Sequence, residues 1–147
     1  MKEITADAVM ESIDLITNRI NEELEALDCP GKPRAQIDVA IDEILSNIIR
    51  YAYPREPGSV TVRYDCEDGI FSISFEDEGA QYNPLKKQDP DISLSAEERK
   101  IGGLGIFLVK KTMDAVEYRH QDGRNILTIR KRILNQAPPI SCNTYEQ

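Results

Sequence analysis

Cysteine is scarce in this sequence, positive charge is outweighed, and no apolar run is long. The three cysteines, Cys29, Cys66 and Cys142, are odd in number, far apart and in no CxxC pairing. That pattern excludes a disulfide scaffold and points to reduced thiols in a cytosol. Eighteen lysines and arginines stand against 26 aspartates and glutamates, a formal net charge of −8. A surface of that sign repels nucleic acid and anionic lipid, so neither is a general partner, although a local basic patch can still hold a phosphate. No stretch reaches the roughly 20 apolar residues that span a bilayer. The opening MKEITADAVMESID carries acids where a secretory signal has a basic and then an apolar region. These absences predict a cytoplasmic protein with no membrane and no direct nucleic-acid partner.

What is present suits a soluble globular chain. With 147 residues, 40% apolar and 30% charged, it has the length of one domain and enough hydrophobic side chains for one core. Val9, Ile13, Ile16, Ile20, Leu24 and Leu27 recur at helical spacing and predict an amphipathic helix over about Asp7 to Leu27. DCPGKP interrupts it. A second helix is expected from about Arg34 to Tyr53, its stripe built from Ile37, Ala40, Ile41, Ile44, Leu45 and Ile48, and PREPG stops it. SVTVRYDC and IFSISFED then alternate at period two around EDG, a hairpin pattern. IGGLGIFLVKKTMDAV reads as a glycine-rich turn feeding a third helix, and VEYRH, QDGR and NILTIRKRI as a closing hairpin. The expected fold is α+β, a two-layer sandwich with helices on one face of a mixed, mostly antiparallel sheet. One domain is expected over residues 1–134, with 135–147 a loosely attached tail. There is no internal repeat.

Three places carry chemistry. On a helical wheel Glu43, Asn47 and Arg50 share one flank beside the apolar stripe, where the helix meets the sheet. Read alone, they describe a solvated helix edge. FEDEGAQYNP follows a strand, with Asp77 at its end and Gly79 two residues on. A carboxylate there can accept from an amino group, and glycine lets a planar ligand approach the backbone, yet Asp, Gly, Asn and Pro also simply make turns. GGLG, Gly102 to Gly105, opens a helix, and unencumbered N–H groups at a helix start form a phosphate site. The motif is neither Walker A nor Rossmann, and glycines can equally serve close packing. Between the second and third places runs a polar stretch, about Lys86 to Ile101, with no periodic apolar face to anchor it.

In this order and spacing the three places resemble the Bergerat-fold ATP-binding superfamily, which includes type II topoisomerases, chaperones, histidine kinases and mismatch-repair proteins. Within it the chain is most similar to the small free-standing anti-sigma-factor serine kinases of bacteria. AIDEILSNIIRYAYP looks like their N box, DEGAQYNPL like their first glycine box, and GGLGIFLVKKTMDAVEYRHQDGRNILTIRKRI like their second box and closing hairpin. The resemblance spans about residues 35–133. The chain departs from the family at Tyr51, where a histidine is frequent, and at Gln81 and Asn83, where a glycine and an acid are frequent.

The resemblance implies ATP and Mg²⁺ as ligands and assigns roles. Asn47 is the metal ligand and Glu43 the general base. Asp77 binds the adenine amino group and Gly79 admits the ring. Gly102, Gly103 and Gly105 cradle the phosphates. Arg99 and Lys100 are candidate γ-phosphate contacts, though each also reads as a solvated lid charge. Arg50, Tyr82 and Leu104 complete the nucleotide-binding set. The implied partners are a STAS-fold anti-anti-sigma protein, phosphorylated on a serine or threonine, and a sigma factor or similar regulator, with the kinase a homodimer. The segment from Lys86 to Ile101 is expected to be a lid that orders on nucleotide binding. The other reading is a nucleotide-gated binding module without phosphotransfer. An intact Glu43 favours the kinase, because a pure binder needs no base there. A histidine-kinase reading fits poorly, since the single histidine, His120, falls in the closing hairpin.

Overall fold

The computed structural model describes residues 1–86 and 103–134. Its elements are β1 (Lys2–Asp7), α1 (Met10–Ala26), α2 (Gly31–Asn47), a π-helical turn (Ile48–Ala52), β2 (Ser59–Glu67), β3 (Ile70–Asp77), a 3₁₀ turn (Pro84–Lys86), α3 (Gly103–Thr112), β4 (Ala115–Gln121) and β5 (Arg124–Arg132). The strands form one five-stranded sheet in the order β1-β2-β3-β5-β4, antiparallel in every described pairing. This is the α+β two-layer arrangement expected from the sequence. The lid residues beyond Lys86 and the 135–147 tail lie outside the described residues.

Each hairpin turn is an Asp-Gly pair, as the sequence pattern predicts. Asp68 and Gly69 have φ of 55° and 79°, and Asp122 and Gly123 have 55° and 75°. Two consecutive left-handed residues make the turn whose twist matches the flanking strands. Alternation then puts Val60, Val62, Tyr64, Phe71, Ile73, Phe75, Leu127 and Ile129 on the face covered by the helices, all buried. Ile13, Ile16, Ile20 and Leu24 of α1 and Ile37, Ala40, Ile41, Ile44 and Leu45 of α2 meet them from above. The opposite sheet face is polar, with Arg63 bridging Glu3 and Glu76, and Arg124 bridging Glu76 and Glu78. Among the described residues no helix is long and apolar enough to cross a membrane.

The structure corrects the expected boundaries in three places. Asp7 does not start α1; it ends β1, an edge strand paired with β2 that shows only Ile4 buried and so has almost no apolar alternation to reveal it. α2 begins at Gly31 rather than Arg34, since Pro33 lies in the first turn, where a missing N–H costs nothing. Its α-helical part stops at Asn47 rather than Tyr53. From there the backbone widens, and the Tyr53 N–H reaches Ile48 O, five residues back, at 3.1 Å. That widened turn lies in the middle of the region singled out for chemistry.

Candidate functional site

The site is assembled from the end of α2, the end of β3, the inward face of β5 and the start of α3. Asn47, in the last turn of α2, is 2% exposed. Its Nδ2 donates to Glu43 Oε2 at 2.9 Å, one helical turn away as the i,i+4 spacing requires. Its Oδ1 is buried with no hydrogen-bond partner. Leaving a buried acceptor unmatched costs on the order of 1–3 kcal/mol, so a fold retains one only where something else satisfies it.

Glu43 lies against the first turn of α3. A Cβ built on Gly105 would fall 2.1 Å from the Glu43 carboxyl carbon, so the absent side chain at 105 is the space that the carboxylate occupies. The end of α3 that carries free N–H groups and a partial positive charge is thus brought onto an acidic side chain. Gly103 begins α3, and Leu104 is 40% exposed. Gly102, Arg99 and Lys100 lie outside the described residues.

Asp77 ends β3 at an inward position, 4% exposed. Its Oδ1 accepts from the Gly79 N–H at 2.9 Å and from Asn125 Nδ2 at 2.8 Å. Burial pushes this carboxyl above its ordinary range, and the Asn125 and Gly79 bonds pull part of the way back. Gly79 is needed by the protein itself. A Cβ there would come within 2.3 Å of Ala52 O, which accepts the Ala80 N–H at 2.8 Å. That contact ties the segment after β3 to the end of α2.

Asn47 and Asp77 open onto one cleft, also lined by Phe75, Tyr82, Tyr118 and Asn125. Its cavity is about 20 Å³, room for about one water. Tyr82 fills part of it and stacks on Tyr51, ring centroids 4.7 Å apart at 28°. Arg50, in the π-turn, is exposed, with its guanidinium 5.6 Å over the Tyr51 ring. Gln81 is exposed, and Asn83 Oδ1 accepts the Leu85 N–H at 2.9 Å, opening the 3₁₀ turn. His120 is exposed on β4.

Two residues of the cleft escaped the sequence reading. Asn125 is 5% exposed, and Tyr118 OH donates to its Oδ1 at 2.5 Å. A signal existed: Asn125 opens the inward-facing series Asn125, Leu127, Ile129, so an amide stands where the alternation calls for an apolar residue.

Comparison with known proteins places the chain in context. Residues 6–131 match the histidine kinase-like ATPase domain family. The chain is 30% identical over 116 residues to the serine-protein kinase RsbW of Bacillus thuringiensis (strain Al Hakam), covering 74% of this chain and 71% of that protein. The RsbW of Bacillus cereus (strain 03BB102) is similar to the same extent. Among solved structures, the RsbU and RsbW domains of a Mycobacterium tuberculosis protein superpose with a TM-score of 0.64 at 17% identity, over 90% of this chain and 33% of that one. That likeness speaks to the fold alone.

Proposed function

The chain belongs to the histidine kinase-like ATPase domain family and, within it, to the anti-sigma-factor serine-protein kinases, and from that membership we propose that Glu43, Asn47 and Asp77 direct transfer of the γ-phosphoryl group of ATP to an antagonist protein of the STAS fold. The protein is a serine kinase that uses ATP. The observation that carries the assignment of parts is the buried, unmatched Oδ1 of Asn47. Among the described residues no group of three or more acidic, histidine or cysteine side chains could hold a metal. Asn47 Oδ1 would offer a cation a neutral oxygen, with phosphate and water as further ligands, a set that suits Mg²⁺. When bound, Mg²⁺ neutralises charge on the β- and γ-phosphates.

The remaining roles follow from position. Asp77, at the other end of the cleft, accepts from the adenine amino group, with Tyr82 beside the ring. The N–H groups of Gly103, Leu104 and Gly105 face the phosphates at the start of α3. Arg99, Lys100 and Gly102, just ahead of α3, complete the set as phosphate contacts. Glu43 takes the proton of the acceptor hydroxyl as the oxygen–phosphorus bond forms and the bond to the ADP oxygen breaks. Its carboxylate is held for this by the Asn47 amide and by the gap at Gly105. The acceptor is a serine or threonine on a STAS-type anti-anti-sigma protein. The second partner is a sigma factor or similar regulator, bound by a cytoplasmic homodimer.

The test is transfer of label from γ-labelled ATP to such a STAS protein. Glu43→Gln should leave ATP affinity nearly intact and slow transfer by about 10²–10⁴, the usual worth of a positioned base. Asn47→Ala should weaken both Mg-dependent ATP binding and turnover. Wild-type protein that binds ATP and partner yet transfers no label would remove the catalytic role from Glu43 and leave a nucleotide-gated binding module.

A further inference from the structure

The carboxamide of Asn125 has every hydrogen-bonding position filled. Nδ2 donates to Asp77 Oδ1 at 2.8 Å and to Ala80 O at 2.9 Å. Oδ1 accepts from Tyr82 N–H at 3.2 Å and from Tyr118 OH at 2.5 Å. A primary amide has two donors and two acceptor lone pairs, so none is left for a ligand. Its orientation is not interchangeable, because flipping it would set an oxygen against a carboxylate and a carbonyl, and an NH₂ against a backbone N–H. Asn125 thus acts only through its neighbours, and it joins the end of β3, the segment at Ala80 and Tyr82, and β4.

The consequence falls on Asp77. Both of its bonds, from Asn125 and from the Gly79 N–H, land on Oδ1. That arrangement fixes the carboxylate plane and leaves Oδ2 to meet a donor from the cleft. We propose that Asn125, braced by Tyr118, is a positioning residue for base selection: it presents Asp77 as an acceptor in one orientation, so that the site takes a purine with an amino group at position 6 and rejects one with a carbonyl there. This inference rests on the reading of the cleft as the nucleotide-base site. With Asn125 gone, Oδ1 keeps only the Gly79 N–H, and the carboxylate is no longer held in one orientation toward the cleft. Discrimination is lost faster than binding.

The experiment compares ATP with inosine triphosphate, which differs in carrying a carbonyl for the amino group, by calorimetry on the full chain. Wild type should prefer ATP. Asn125→Leu should weaken ATP binding by roughly 10–100-fold, the scale of a hydrogen bond to a charged group. It should change inosine triphosphate binding much less, so that the ratio of the two collapses. Tyr118→Phe keeps the ring and removes only the hydroxyl donor. It should shift the ratio in the same direction by about 3–10-fold, with a melting temperature near wild type. It also keeps the test open should Asn125→Leu fail to fold. Two outcomes would overturn the inference. If wild type prefers ATP and the variants weaken both nucleotides in parallel, Asn125 is a structural brace. If wild type binds neither nucleotide, the reading of the cleft fails, and this inference with it.

Discussion

Asp77→Asn should make the protein more stable and its site worse. Asp77 is 4% exposed, and burial holds its carboxyl above the ordinary range, so ionising it costs the fold stability. The amide has the same shape. Its oxygen can still accept from the Gly79 N–H and from Asn125 Nδ2, so the two bonds to Oδ1 survive. What changes is that a neutral NH₂ replaces the buried charge. Gains from relieving such a functional compromise run to about 0.5–2 kcal/mol, or roughly 2–6 °C for a chain of this size. The sign with pH follows from the raised pKa. Stability contributed by Asp77 is present below its unfolded pKa and lost as pH rises through the folded one. The variant's advantage is therefore largest at high pH and shrinks as pH falls toward the usual carboxylate range, about 4. ATP affinity moves the other way, because an amide nitrogen cannot accept from the adenine amino group. A lost hydrogen bond to a charged acceptor is worth about 1.5–3 kcal/mol, or roughly 10–150-fold in Kd. The assay pairs melting curves from pH 4 to 8 (a range of about the carboxylate and neutral regions) with calorimetric titration of ATP. A variant that melts below wild type at neutral pH, or binds ATP as tightly, refutes the reasoning.

Three glycines should separate packing from chemistry. Gly79→Ala puts a Cβ 2.3 Å from Ala52 O, whose position is held by the Ala80 N–H, and should cost about 1–3 kcal/mol, read as a melting temperature lower by roughly 3–10 °C. Gly105→Ala drives the Glu43 carboxylate out of its gap and should slow phosphotransfer by about 10²-fold while changing ATP affinity far less. Gly69→Ala, in the first hairpin at φ 79°, should lower stability by about 1 kcal/mol and leave ATP affinity unchanged, which makes it the control.

Much of the fold was legible because its signals are local. The two hairpins announce themselves by alternation around Asp-Gly, and α1 and α2 by apolar stripes that prove to be the buried faces. β1 was not legible, since an edge strand with one buried residue has no periodicity and is defined by its partner, β2. Nor was the insertion of β5 between β3 and β4, which depends on pairings between distant segments. Asn47 and Asp77 read alone as a helix edge and a turn; only the order of the three motifs and the family resemblance singled them out, and both line one cleft. Asn125 and Tyr118 were missed because their roles exist only once β4, β5 and β3 lie side by side.

A helical wheel does not describe the end of α2. A helical wheel assumes a constant turn, and residues Ile48–Ala52 depart from it with a five-residue closure, Tyr53 N–H to Ile48 O. Ala52 O is among the last carbonyls of the helix, which have no partner within it. It accepts the Ala80 N–H, and Gly79 must lack a side chain for the two backbones to meet. The same contact anchors the segment that carries Asp77, Ala80 and Tyr82 to the helix that carries Glu43 and Asn47. The segment after β3 and the end of α2 are therefore joined by a backbone hydrogen bond. The irregular turn, the unmatched Asn47 oxygen and the desolvated Asp77 are each unfavourable alone. They fall in one cleft, and the apolar layer of α1, α2 and the sheet carries their cost.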